Sequence, residues 1–224
     1  VTFVPGAASP SHSTLVATDN VRADAMDRCL VTITLRDRFD NPVIGVFPRL
    51  DAPLSTGNTF VQPGMTDFDG VARGALMSTR AEVKRIDVVA PTGLLELSKL
   101  VTFVPGVASA RWSRLVVATP EVVGGVQTAR VTIVLRDAQG NPIPGVSVSL
   151  AMSGDEGTIL QPASPTDVDG VTAGMVSTSV PGTRTIRIVA PAGLGMLDSE
   201  VTFDPVPPVV TDLMITPDFA EVEI

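Results

Sequence analysis

The sequence predicts an all-β protein that consists of tandem antiparallel β-sandwiches of about seven strands each. Three observations predict this fold class. Apolar residues alternate with polar ones over short runs, which is typical of half-buried strands. Gly, Pro, Asn and Asp interrupt these runs roughly every dozen residues, as turns in a sandwich do. The whole pattern recurs with a period of about 100 residues, so the chain is a repeat protein.

The alternating runs give the positions of the strands. Period-two alternation predicts one strand at residues 31–35 and another at residues 146–150. Further runs rich in β-branched residues predict strands at residues 15–17, 86–90, 101–103 and 186–190. No window of a dozen residues keeps a helical period, so we expect no helices.

The repeat sets the organisation of the chain. Val-Thr-Phe-Val-Pro-Gly stands at residues 1–6 and again at 101–106, and Val-Thr-Phe recurs at 201–203. We interpret Val-Thr-Phe as the last strand of a module and Val-Pro-Gly as a joint stiffened by proline. The predicted units are the last strand of a preceding module (1–6), module 1 (7–105), module 2 (106–205) and the start of a further module (206–224).

Composition excludes several classes of function. Sixteen Lys and Arg stand against 24 Asp and Glu, a net charge of -8, and no basic cluster is present that could bind a nucleic-acid backbone. No apolar run reaches the roughly 18 residues of a membrane helix, so we predict no membrane span in this fragment. The sequence has one Cys, so it cannot form an intramolecular disulfide. With only one His as well, it has few of the residues that zinc sites and catalytic triads need.

Aspartates at the predicted turns are the candidate metal ligands. Carboxylates are suitable ligands for calcium. However, the glycine of Asp-x-Asp-Gly does not stand where a helix-loop-helix calcium loop has its glycine, and the final glutamate of that loop is missing. We predict turn formation, no metal and no cofactor, with calcium as the alternative at Asp37, Asp40, Asp67, Asp69, Asp137, Asp167 and Asp169. We also expect Asp69-Gly70 and its repeat to adopt the positive φ angles of a tight turn, so that alanine at Asp69 lowers stability.

Three single residues are weak candidates for chemistry. His12 has Trp112 at its position in module 2 and no partner to orient it as a base, so we expect a surface or joint residue. Cys29 corresponds to Ala129 and is interpreted as a small filler of the core. For Trp112 we expect packing near the joint, with a binding aromatic as the alternative. The chain is predicted not to be an enzyme.

Two motifs carry a resemblance to a known family. Residues 131–146 read VTIVLRDAQGNPIPGV, and residues 166–171 read TDVDGV. This pairing resembles the bacterial immunoglobulin-like domain of group 1, the stalk module of invasin- and intimin-type adhesins. The resemblance implies immunoglobulin-like sandwiches in an extracellular bacterial surface protein. Module 1 departs from the pattern at Asp40, where Gly is usual, and at Ile44, where Pro is common.

The predicted function is that of a structural spacer. Tandem modules would hold a distal adhesion or binding domain away from the cell, in contact with neighbouring modules of the same chain. The alternatives are a subunit of a fibre, sheath or virion assembly that uses edge-strand contacts, or a module that binds a ligand or protein receptor. An aromatic content of 4% without Tyr argues against carbohydrate binding.

Overall fold

A computed structural model describes residues 4–123 and 125–206, and its regular secondary structure is entirely β. The all-β prediction is therefore confirmed. The strands of module 1 are β1 (Thr14–Ala17), β2 (Val21–Arg22), β3 (Cys29–Thr34), β4 (Arg49–Asp51), β5 (Asn58–Val61), β6 (Val71–Ser78), β7 (Val83–Ala90) and β8 (Ser98–Val104). Those of module 2 are β9 (Arg114–Val117), β10 (Glu121–Val123), β11 (Val126–Val134), β12 (Ser149–Met152), β13 (Thr158–Leu160), β14 (Val171–Thr178), β15 (Gly182–Ala190) and β16 (Asp198–Phe203).

The predicted bounds of the modules remain a prediction. Half of the strand expected at residues 1–6 lies outside the described residues. Almost all of the further module expected at residues 206–224 lies outside them as well. In the part that is described, no helix is long and apolar enough to cross a membrane.

Each module consists of two sheets packed face to face. In module 1 the strand orders are β1-β3-β6-β5 and β2-β8-β7-β4. In module 2 they are β10-β11-β14-β13, with β9 also paired to β11, and β12-β15-β16. Among the described residues each module has eight strands, against the seven or so expected, because the short strands β2 and β10 precede the long third strand.

The short second strand is placed differently in the two modules. β2 runs parallel to β8, so the pairing is not purely antiparallel. The Asp19 carboxylate accepts a hydrogen bond from the N–H of Thr102 at 2.6 Å and holds this segment against β8. Thr119 replaces Asp19 in module 2, and β10 turns back onto β11 instead.

The predicted strand at 146–150 is only partly present, since β12 begins at Ser149. Gly145 has a φ of 75°, which breaks the extended run before Val146. Val146 is held instead by Thr166, whose hydroxyl accepts from its N–H at 3.0 Å and donates to the carbonyl of Ile143 at 2.7 Å. Thr66 makes the same two bonds in module 1.

Matching positions of the repeat form the two cores. Ile33 and Ile133 are fully buried, and each belongs to the hydrophobic core of its module. Burial of one such side chain contributes about 1.5–3 kcal/mol. Cys29 lies in the core of module 1, where its thiol donates to the carbonyl of Thr18 at 3.1 Å and burial raises its pKa. This setting suits a core filler and not a nucleophile.

Candidate functional site: the joint between the modules

The centre of the joint is the turn at residues 137–141. The buried carboxylate of Asp137 accepts hydrogen bonds from the backbone N–H groups of Gln139 at 2.9 Å and Asn141 at 2.8 Å. It also accepts from Gly106 N–H at 2.9 Å, which ties the turn to the connection between the modules. One carboxylate therefore fixes both the turn and the point where module 2 begins.

The side chain of Asn141 joins the two modules. Its Nδ2 donates to Asp137 at 2.9 Å and to the carbonyl of Thr79 at 3.0 Å. Its Oδ1 accepts from the N–H of Ala81 at 3.0 Å. Asn141 is only 9% exposed, so this three-way contact is largely shielded from water. Asp137 orients the amide, and the amide holds the turn between β6 and β7 of module 1.

A polar groove of about 440 Å³ lies beside this contact. Its lining comes from both modules: Thr79, Arg80, Ala81, Glu82, Arg136, Gln139, Gly140, Asn141 and Pro142. Trp112 lies beside Gly140 on the side of module 2 and is 46% exposed. Trp112 is thus placed near the joint, as predicted.

Module 1 repeats the same turn at its opposite end. Asp37 accepts from the N–H groups of Gly6 at 2.9 Å, Phe39 at 2.8 Å and Asn41 at 3.0 Å. The hydrogen bond from Gly6 is the main reason that the pKa of Asp37 falls to about 2. The carboxylate therefore stays charged, and able to accept these bonds, far below neutral pH.

His12 lies at the same end of module 1. Its Nδ1 is 3.0 Å from Oδ1 of Asp40, and the two side chains are 37% and 72% exposed. This is the surface position expected from the sequence.

The second aspartate turn is built by Asp67 and not by Asp69. Oδ1 of Asp67 accepts from the N–H groups of Asp69 at 3.0 Å and Val71 at 2.9 Å. Gly70 has a φ of 76°, whereas Asp69 is not among the positive-φ residues. The expectation that both residues adopt positive φ is therefore wrong, because the turn needs the left-handed conformation only at its last residue. Asp167 forms the same bonds in module 2.

The candidate calcium ligands are distributed over these turns. Asp37, Asp67, Asp137 and Asp167 are engaged with backbone N–H groups, as turn formers are. Among the described residues, no three His, Cys, Asp or Glu side chains form a group that could hold a metal ion. Calcium binding by these aspartates, with Asp40, Asp69 and Asp169, stays a prediction.

The Asp-x-Asp-Gly turn gives a direct test of this assignment. We expect Asp167→Ala to lower the free energy of unfolding of module 2 by about 1 kcal/mol, because two turn hydrogen bonds are lost. Asp169→Ala, the matched control, should change it by less than about 0.5 kcal/mol, as exposed substitutions do. Urea unfolding followed by Trp112 fluorescence measures both. An equal loss in the two variants would contradict the role given to Asp167.

Residues 114–204, most of module 2, match the family model described as bacterial Ig-like domain (group 1). Module 2 is therefore similar to the group 1 bacterial immunoglobulin-like domain. Module 1 shares its turns, its core positions and most of its strand pairing, so the resemblance noted in the sequence holds across the group 1 domain and its repeat.

The chain is also similar to several bacterial adhesins. The inverse autotransporter adhesin YeeJ of Escherichia coli (strain K12) is 25% identical over 190 residues, which are 83% of this chain and 8% of that protein. InvD of Yersinia pseudotuberculosis has 26% identity and a TM-score of 0.67 over 93% of this chain and 62% of its own. Invasin, described as a bacterial integrin-binding protein, has 23% identity and a TM-score of 0.74 over 93% and 43%, a likeness of fold.

The role of Asn141 at the joint is not evident from the sequence alone. Asn-Pro stands in both modules, at Asn41 and Asn141, and at Asn141 it is part of the motif that resembles the group 1 domain. The signal available was that the whole Asp-x-x-x-Asn-Pro motif lies a fixed distance after Val-Pro-Gly in both copies. In the structure Gly106, the glycine of Val-Pro-Gly, donates to Asp137, so the motif lies at the joint.

Proposed function

We propose that this chain is a non-catalytic spacer segment of a bacterial surface adhesin, located outside the cell. Its modules would hold a distal adhesion or binding domain away from the membrane. The observation that carries the proposal is the Asn141 bridge, because it fixes one module on the next through side-chain and backbone groups. Similarity to adhesins supports the surface location, although the chain spans only 8% of the length of YeeJ.

The strength of the bridge suits a spacer. Each of the two hydrogen bonds between the modules contributes about 1 kcal/mol. Together they would favour the docked arrangement over a free joint by a factor of roughly 30, since 1.4 kcal/mol is tenfold. Pro105 adds stiffness because it fixes φ in the connection.

The edge strands favour the spacer over an assembly subunit. β2 covers part of the β8 edge in module 1. At the end of β16, the Gln127 side-chain amide donates to the carbonyl of Asp204 and accepts from its N–H at 3.1 Å. When a side chain hydrogen-bonds the backbone N–H and carbonyl of an edge strand, fewer of these groups are free to pair with a strand of another chain.

A test of the proposal measures the joint directly. Residual dipolar couplings of the whole chain report whether the two modules share one alignment tensor. Modules that are held rigidly together must share one. We expect a shared tensor in the unmodified chain and different tensors in Asn141→Ala. The matched control is Asn41→Ala, which removes the same contact to its own aspartate without touching this joint.

Two outcomes would overturn the proposal. Different tensors in the unmodified chain would mean that the joint is not fixed. A shared tensor in Asn141→Ala would mean that the amide bridge does not fix it. Circular dichroism of each variant establishes that the sandwiches remain folded.

A further inference from the structure

The end of module 1 opposite the joint repeats the turn that forms the joint. The end face, which we define as Gly6, Asp37, Phe39 and Asn41, has the same bonds to its central carboxylate as the face around Asp137. The Nδ2 of Asn41 donates to Asp37 at 3.1 Å. Its Oδ1, which corresponds to the acceptor for Ala81 N–H at the joint, has no partner among the described residues, and Asn41 is exposed.

The end face also differs from its copy in apolar character. A groove of about 680 Å³ runs over it. Phe39, which lines the groove, is 69% exposed and corresponds to Gln139, a lining residue of the joint. A large exposed aromatic side chain beside an oriented amide is typical of a contact surface.

We propose that this end face binds the turn between the sixth and seventh strands of another immunoglobulin-like module. That turn must offer a backbone carbonyl and, two residues later, a backbone N–H, as Thr79 and Ala81 do at the joint. Asn41 contacts both groups, and Phe39 is covered by the turn. This inference rests on the proposed function, since it extends the Asn141 bridge to a second site.

The N–H requirement restricts which module fits. Module 2 has Ser179 and Pro181 at the positions of Thr79 and Ala81. Proline has no backbone N–H, so a turn of that sequence can accept from the Asn41 amide but cannot donate to it. The end face therefore selects a module with a non-proline residue at this position, such as a second copy of module 1, over a copy of module 2.

The repeat allows a clean test with the whole chain. Residues 7–100 are added directly before Val1, and because residues 1–6 repeat residues 101–106, the new junction has the natural joint sequence. We expect the added module and module 1 to share an alignment tensor. The amide of Ala81 in the added copy should exchange about fivefold more slowly than in the same chain carrying Asn41→Ala, the effect of one hydrogen bond. Asn41→Ala should leave the shared alignment tensor of the original chain unchanged. In the extended chain it should give the added module and module 1 different alignment tensors.

A second extended chain tests the selection. Residues 107–200 are added before Val1, which places Pro181 at the donor position, and Pro181→Ala in that added copy restores the N–H. We expect separate tensors with Pro181 and a shared tensor with alanine. Independent motion of an added module 1 would overturn the inference while the Asn141 joint stays fixed and the proposed function stands. Equal coupling of both added modules would overturn the selection by the N–H group.

Discussion

Gly170→Ala is expected to lower the free energy of unfolding of module 2 by about 3 kcal/mol. Gly170 has a φ of 76°, which costs an alanine about 1–2 kcal/mol. A Cβ at this position would also lie 2.4 Å from the carbonyl oxygen of Leu135. The turn must shift to relieve that contact, and the 2.8 Å bond from Leu135 N–H to the carbonyl of Gly170 is then weakened.

Gly145→Ala is the matched control for this prediction. Gly145 has nearly the same φ, 75°, but an added Cβ meets nothing within 4 Å. Its cost should therefore be about 1–2 kcal/mol, the conformational part alone. Urea unfolding followed by the fluorescence of Trp112, which lies in module 2, measures both variants. If the two losses are equal, the close approach to Leu135 has no energetic effect.

Local patterns in the sequence predicted those parts of the fold that local physics determines. Alternation placed Val31 and Ile33 on one buried face because successive side chains on a strand point to opposite sides. Asp37 and Asp137 are predicted turn formers because aspartate bonds to the backbone just after it. Each of these features depends on residues fewer than about six positions apart.

Contacts between distant residues could not be read in the same way. The Thr79 carbonyl and the Asn141 amide are 62 positions apart in the sequence. Neither residue belongs to a local pattern that indicates this contact. Their meeting depends on how one complete sandwich sits on the next. The parallel position of β2 depends likewise on Asp19 reaching Thr102, which lies 83 positions later.

Lys84 is the clearest case in which tertiary structure overrides a local rule. It occupies a core-facing position of β7 and is fully buried, although lysine is almost never fully buried unless paired. Its ammonium donates to the carbonyl of Thr56 at 3.0 Å and to Glu82 at 2.5 Å. It also lies 5.9 Å from the ring centre of Phe103. The partners that make this burial possible come from three different segments of module 1.

Lys84→Ala should therefore lower the free energy of unfolding of module 1 by about 3 kcal/mol, within the range for truncating a large buried side chain to alanine. Glu82 is 39% exposed and can regain water, so most of the cost comes from the cavity left beside Phe103 and the unpaired carbonyl of Thr56. Lys84→Met keeps most of the volume and should cost only about 1–2 kcal/mol, that of the unpaired carbonyl.

Hydrogen exchange of β7 and β8 measures these losses within module 1. Lys99→Ala is the control, since Lys99 is an exposed lysine on β8, the strand paired with β7. It should change the free energy of unfolding by less than about 0.5 kcal/mol. A loss in Lys84→Met as large as in Lys84→Ala would show that the ammonium group, and not the packing of its aliphatic stem, holds this part of the core together.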